Sequence, residues 1–104
     1  MKGQGKSHRC MAAAMAVLGD KWSPFIVQSL EHGPQRFCRI QEEAGGVNPR
    51  TLSQRLARLE EMMIVSKRVI STTPPHTEYQ LTERGRALLP ILAQMADWSA
   101  RYAR

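Results

Sequence analysis

The residues best suited to molecular recognition lie in the stretch 48–63, NPRTLSQRLARLEEMM. Its polar side chains are Arg50, Thr51, Ser53, Gln54, Arg55 and Arg58. Arginine matches the major-groove edge of guanine, and glutamine matches that of adenine. The positive charge lies near the start of the segment, where a helix dipole favours acidic side chains instead. This arrangement favours an anionic partner, and a solvated surface helix is the alternative.

A helix must position these side chains, and its start and its buried face both leave signals. Asn48 is a favourable N-cap, and Pro49 suits the first helical position. An apolar stripe at helical spacing follows, formed by Leu52, Leu56, Leu59 and Met63. The stripe predicts that one face is buried and that the polar face points outward.

Two cysteines are the other reactive groups. The first helix is predicted over residues 9–18, which places Cys10 at its start, where the dipole and nearby basic residues favour a thiolate. Cys38 lies between Arg36 and Arg39. It is a candidate to form a disulfide with an oxidised Cys10, within one chain or between two. The alternative is that a cysteine only fills space in the packing.

Length and composition restrict the classes of protein. The 104 residues suffice for one domain, and 42% are hydrophobic, so the chain can bury a core. The net charge is +6, the pI is about 10.0, and eleven of the fifteen basic residues are arginine, which predicts a polyanionic partner. There is no long apolar run, so we expect a cytoplasmic protein without a membrane partner.

No catalytic or metal-binding pattern is recognisable. His8, His32 and His76 lie in separate predicted elements without ligand spacing. Serine, histidine and aspartate form no recognisable constellation, and no glycine-rich phosphate loop is present. We therefore expect neither enzymatic activity, nor a metal, nor a cofactor.

The other elements are predicted from caps and periodicity. A second helix begins at the cap Ser23, a short third helix runs from Phe37 to Gly45, and the strands cover 64–70 and 77–81 around a turn at 71–76. A single last helix is predicted from Glu83 to about Ala103, capped by Thr82, and Pro90 inside it should bend it or leave one carbonyl free. A basic helix after a short turn, followed by a hairpin, is typical of a winged helix-turn-helix.

Several motifs now support a resemblance. They are Cys10, GDKW at 19–22, GPQRF at 33–37, LSQRL at 52–56, LE at 59–60, PPHTEY at 74–79 and LTERG at 81–85. In this order they resemble the HxlR-type family of bacterial transcription regulators, which is similar to the MarR-type regulators. The resemblance covers nearly the whole chain from Cys10 to Trp98. The chain departs from the family pattern at Met11, where proline is frequent, and at Cys38-Arg39, where a polar or acidic pair is usual.

The resemblance implies a homodimer on double-stranded DNA and, for some members, a response to oxidants or quinone-like electrophiles through the cysteine matching Cys10. The predicted fold is α+β and mainly α: a winged helix-turn-helix with a two-stranded β-hairpin wing and terminal helices for dimerisation. Residues 1–8 are predicted to be flexible, and residues 9–104 form the domain. The predicted dimer contacts are Met11, Met15, Met95, Trp98 and Tyr102. The alternative is that these residues complete the core of a monomer.

Further basic side chains are candidates for contacts with the DNA backbone. Those at or near the second and third helices are Lys21, Arg36 and Arg39, and those of the wing are Lys67, Arg68 and His76. Simple solvation is the alternative for each of them. Trp22 is interpreted as a packing residue. A competing functional hypothesis is a non-catalytic RNA-binding or protein-interaction module that uses the same basic surface.

Overall fold

Short helices and one antiparallel sheet make up the chain, and their boundaries follow proline, glycine and capping residues. The computed structural model describes residues 2–103, with side chains from residue 7 onward. The elements are α1 (Lys2–Leu18), α2 (Ser23–Ser29), β1 (Gln35–Arg36), α3 (Phe37–Glu43), α4 (Pro49–Glu61), β2 (Val65–Thr72), β3 (Pro75–Leu81), α5 (Glu83–Arg86) and α6 (Leu89–Tyr102). The predicted winged helix-turn-helix is confirmed, with α3 and α4 as the two helices of the motif.

The sheet has the order β1-β3-β2 with antiparallel pairing throughout. The hairpin of β2 and β3 is longer than predicted, because its turn occupies only Thr73 and Pro74. Pro75 lies opposite Thr72 at the end of the ladder, where its missing N–H interrupts no central pairing. The short link before α3 forms strand β1, which pairs with β3 and adds a third strand to the hairpin.

The hydrophobic core lies between α2, α3, α4 and the base of the sheet. Its fully buried side chains are Ile26, Val27, Leu30, Ile40, Val47, Leu52, Leu56 and Leu59. From residue 7 onward, helix α1 contributes only Val17 to the buried core, and α6 contributes only Leu92. The terminal helices are therefore attached to a core that the central part of the chain largely builds.

Two predicted helix boundaries were wrong. Helix α1 starts at Lys2 rather than near Arg9, so Cys10 lies inside the helix, and the argument from a helix start does not apply to its thiol. The predicted last helix is divided into α5 and α6, with Pro90 in the first turn of α6. Proline cannot donate to the carbonyl of residue 86 and its ring crowds that group, so the helix stops instead of bending.

The predicted caps were partly correct. The Asn48 Oδ1 accepts from the N–H groups of Arg50 (2.9 Å) and Thr51 (3.4 Å), and the Thr82 Oγ1 accepts from that of Gly85 (3.0 Å). Ser23 is not the cap of α2. The N-cap position is Trp22, and the Asp20 carboxylate accepts the free N–H groups.

Met63 was also misplaced in the predicted apolar stripe. It follows the end of α4 with a φ of +61° and is 66% exposed. Its left-handed conformation ends the helix and turns the chain into β2, so its side chain cannot continue the leucine face.

Within the described part of the chain, no single helix is long and apolar enough to cross a membrane. The pair Ser7–Leu18 and Ser23–Ser29, bent by 70°, meets that test together by length and composition alone.

Candidate nucleic-acid interface

The polar face of α4 is presented to solvent because its opposite face is locked into the core. Leu52, Leu56 and Leu59 are at most 1% exposed. The exposed side chains on the other side are Arg50, Ser53, Gln54 and Arg58, with Thr51 half-buried. Across residues 7–103, no hydrogen bond or ion pair engages the side chains of Arg50, Gln54 or Arg58. These groups are available to a ligand.

Arg55 differs from its neighbours on α4. Its Nε–H donates to the Oδ1 of Asp20 at 2.9 Å, and both side chains are partly buried. The Oδ2 of Asp20 accepts from the Ser23 hydroxyl at 2.7 Å and from the N–H groups of Ser23 (2.8 Å) and Trp22 (3.1 Å). Sequence reasoning missed Asp20, although an acidic residue three positions before a Ser-Pro helix start is a usable capping signal.

The electrostatics of this cluster favour an ionised Asp20. Burial raises the pKa of Asp20, but the hydrogen bonds from Ser23, Trp22 and Arg55 outweigh it and hold the pKa below its ordinary value of 3.8. The carboxylate therefore stays charged at neutral pH and can hold the Arg55 guanidinium.

Lys21 occupies the turn between α1 and α2, beside this cluster. Its side chain is exposed, and its ammonium lies 4.9 Å from the ring centroid of Trp22. Trp22 packs against the core, as predicted. The ring thus gives the Lys21 ammonium a cation–π contact at the protein surface.

The sheet brings two of the predicted phosphate ligands together. Arg36 on β1 and Arg68 on β2 both lie opposite Glu78 of β3, so the three side chains share one face. His76 is also on this side, and its Nε2 lies 3.0 Å from the Glu78 Oε2. Neighbouring residues of a strand alternate, so Lys67 points to the other face.

Arg39 and Cys38 lie at the start of α3. The Arg39 Nε lies 2.8 Å from the Glu43 Oε1, and the Arg39 Nη1 lies 3.6 Å from the Glu42 Oε2. Two carboxylates therefore compensate the charge of Arg39. Cys38 is a free, exposed thiol. It lines an open cleft of about 650 Å³ between α3 and the hairpin, together with Arg36, Phe37, Arg39, Glu42, Pro75 and Thr77.

The predicted dimer contacts are all exposed. They are Met11, Met15, Met95, Trp98 and Tyr102, with exposed fractions from 45% to 64%. The rings of Trp98 and Tyr102 lie 5.7 Å apart at an angle of 47°. Cys10 is a free thiol, exposed on α1 one residue before Met11. The structure thus leaves an apolar surface on both terminal helices.

Known proteins share both the sequence pattern and this fold. The profile of the HxlR-like helix-turn-helix family matches residues 17–104. The HTH-type transcriptional regulators YvaP and YodB of Bacillus subtilis are 38% and 35% identical to this chain over 89 and 92 residues. The alignments cover 86% and 88% of this chain and 82% of each relative.

Solved structures give the same result. The reduced form of YodB from B. subtilis superposes with a TM-score of 0.79 at 34% identity, over 90% of this chain and 92% of that one. The redox regulator HypR in its oxidised form superposes with a TM-score of 0.82 at 32% identity, over 90% of this chain and 97% of that one. The chain belongs to the HxlR-like helix-turn-helix family and is a DNA-binding transcriptional regulator with a MarR-like winged-helix fold.

Proposed function

We propose that two copies of this chain bind a two-fold symmetric duplex site and that the N-terminal half of α4 reads the bases. The proposal is carried by the exposed side chains of Arg50, Gln54 and Arg58, which lie above a buried leucine face and have no partner among residues 7–103. In a helix-turn-helix, the second helix places the residues of its first turns against base edges. The protein would act in the cytoplasm, where it meets its DNA.

The side chains divide into two groups by their expected role. Arg50, Thr51, Ser53 and Gln54 would lie in the major groove, with Arg58 nearer the backbone. Lys21, Arg36, Lys67 and Arg68 are exposed and would hold phosphates. Arg39 and His76 are engaged by carboxylates and would have to exchange these partners for phosphate.

Selection of bound duplexes from a random pool, at a stated salt concentration, tests this proposal. We expect a consensus with two-fold symmetry. Arg50→Ala or Gln54→Ala should weaken binding by about 1–3 kcal/mol and relax the preference at one position of each half-site. Lys67→Ala or Arg68→Ala should weaken binding to all sequences alike and lower the salt dependence. Enrichment of no sequence, or tighter binding of single-stranded RNA, would overturn the proposal.

The dimer would form through α1 and α6. Pairing their exposed methionines and aromatic rings across a two-fold axis would cover an apolar surface that a monomer leaves in water. It would also separate the two α4 helices by about 34 Å, one turn of B-DNA.

We further propose that Cys10 senses oxidants, with Cys38 as its resolving partner. Support comes from relatives: YodB has been solved in reduced, diamide-treated and quinone-bound forms, and HypR in reduced and oxidised forms. Both thiols of this chain are exposed. In the reaction the two thiols lose two protons and two electrons to diamide, which becomes the corresponding hydrazine, and one S–S bond forms. A bond between the first and third helices would displace α4 and release DNA.

Measuring the affinity for the selected duplex before and after diamide treatment tests the sensor. We expect the wild type to lose affinity and to recover it with dithiothreitol, whereas Cys10→Ser should not respond. A covalent dimer on non-reducing electrophoresis, absent in Cys38→Ser, would place the bond between chains. Unchanged affinity of the oxidised wild type would leave both cysteines as ordinary surface residues.

A further inference from the structure

The Asp20 carboxylate joins the start of α2 to the middle of α4. One of its oxygens accepts the three hydrogen bonds from Trp22 and Ser23 that begin α2. The other accepts the Arg55 Nε–H, 35 residues further along the chain. Only 21% of the Asp20 side chain and 31% of the Arg55 side chain are exposed, so solvent screens this ion pair less than one on the open surface.

The contact has a geometric consequence for the DNA-binding surface. Arg55 follows Gln54 directly on α4, so holding its guanidinium restricts rotation of the helix about its own axis. The same carboxylate fixes the turn that carries Lys21. One group thus sets the position of the predicted base-reading residues relative to a predicted phosphate ligand.

We propose that Arg55 is a positioning residue, which acts on DNA affinity through Asp20 rather than by contacting a base. The inference rests on the proposed function, since it concerns how the same surface binds DNA. It changes the role predicted for Arg55 from the sequence, where it stood with Arg50 and Gln54 among the candidate base-reading residues.

Charge alone predicts the opposite effect at Asp20. A carboxylate beside a phosphate-binding surface repels DNA, so its neutralisation should strengthen binding if electrostatics were its only influence. A positioning role predicts that the same change weakens binding. The sign of the effect therefore distinguishes the two explanations.

The Asp20→Asn variant separates the two halves of the cluster. Its amide oxygen can still accept from Trp22 and Ser23, but its amide nitrogen cannot accept from Arg55. We expect affinity for the selected duplex to fall about tenfold. The fall should be equal for single-base variants of that duplex, with an unchanged order of preference. Arg55→Gln should have the same effect, and the double variant should be no weaker than either single variant, because both break one contact.

Arg58→Gln is the matched control, since it removes the same charge from the same helix at a side chain without a protein partner among residues 7–103. It should lower the salt slope by about one, as expected for a lost phosphate contact, whereas Arg55→Gln should leave the slope near that of the wild type.

Three results would overturn the proposal. Asp20→Asn could bind as tightly as the wild type or more tightly, Arg55→Gln could relax the preference at one base pair, or the losses of the two variants could add. If Asp20→Asn melts below the assay temperature, Arg55→Gln decides by base preference and salt slope, because it leaves the cap of α2 intact. A wild type that selects no duplex would instead refute the proposed function itself.

Discussion

Helices α4 and α6 have nearly the same length, 13 and 14 residues, and each has a proline in its first turn. Their burial differs sharply. Helix α4 buries all three of its leucines, whereas α6 buries only Leu92 and exposes Ile91, Met95, Trp98 and Tyr102. The leucine face of α4 is therefore buried within one copy of the chain, whereas residues 7–103 leave most of the apolar side chains of α6 in contact with solvent.

The helix ends differ in the same direction. The Asn48 side chain caps α4, and Asp20 holds it from the side through Arg55. The N-cap position of α6 is Leu88, which makes no side-chain cap. Helix α4 is thus held at its start and along its side, whereas in the proposed dimer a second copy would cover the exposed face of α6.

The largest expected effect comes from truncating a buried leucine of α4. Leu56→Ala should destabilise the protein by about 2–5 kcal/mol, because it removes a side chain that is 1% exposed and leaves a cavity in the core. Urea unfolding measures it. Gln54→Ala, on the exposed face of the same helix, should change stability by less than about 0.5 kcal/mol. Equal effects of the two variants would contradict the assigned orientation of α4.

Trp98→Ala tests whether the exposed face of α6 forms the dimer interface. Its ring is 61% exposed, so we expect the fold to survive while the dimer weakens by about 2 kcal/mol, roughly thirtyfold in the dissociation constant. Sedimentation equilibrium over a concentration series measures this. Ala93→Ser, on the opposite side of α6, should leave the dimer unchanged. A wild type that stays monomeric at micromolar concentration would show that α6 does not pair.

Asn48→Ala tests how much the N-cap of α4 contributes to stability. Loss of the two accepted hydrogen bonds should destabilise the protein by about 1 kcal/mol. Asn48→Asp keeps an acceptor at the same place and should retain most of the stability. If thermal unfolding of Asn48→Ala matches that of the wild type, solvent satisfies these N–H groups equally well.

Met63 lies after the other end of α4. Glycine adopts a positive φ without a steric penalty, so Met63→Gly should raise stability by about 0.5–1 kcal/mol. The control is Met62→Gly, where φ is −81° and the side chain is half-buried, and this variant should lower stability. A loss of stability in Met63→Gly would mean that the exposed side chain makes a contact worth more than the strain.

The smallest expected effect is the loss of stability in acid that comes from protonation of Asp20. The pKa of Asp20 is lowered on folding, so its contribution to stability is fully present above the ordinary value of 3.8 and is lost as the pH falls below it. Between about pH 5 and about pH 3, the wild type should lose more stability than Asp20→Asn does. Parallel urea midpoints for the two proteins over this range would contradict the prediction.

Much of the fold could be predicted because its signals are local. The caps Asn48 and Thr82, the buried leucines of α4 and the β-branched strand of the wing all depend on residues within a few positions of each other. Side-chain capping and the helical period operate at that range. Helix α4 and the hairpin could therefore be predicted from the sequence alone.

Close packing determined other features. Only glycine fits at position 85, where an added Cβ would collide with the Ile64 carbonyl, and the Thr82 hydroxyl donates to the Met63 carbonyl at 2.6 Å. These contacts dock α5 against the start of β2. Pro90 by itself predicted only a bend or a free carbonyl within one helix, and the separate helix α5 reflects this docking as well.

Residue types at short spacing were enough to predict most of the helices and strands, the basic face of α4 and the family pattern. Only the tertiary structure decided which basic residues are free. It pairs Arg55 with Asp20, sets Arg36 and Arg68 beside Glu78, and leaves the side chains of Arg50 and Arg58 without a partner among residues 7–103. Arg55 and Asp20 are 35 residues apart, and Arg36, Glu78 and Arg68 lie on three different strands. Such contacts depend on how the helices and strands pack, and the spacing of residues along the chain does not specify that packing.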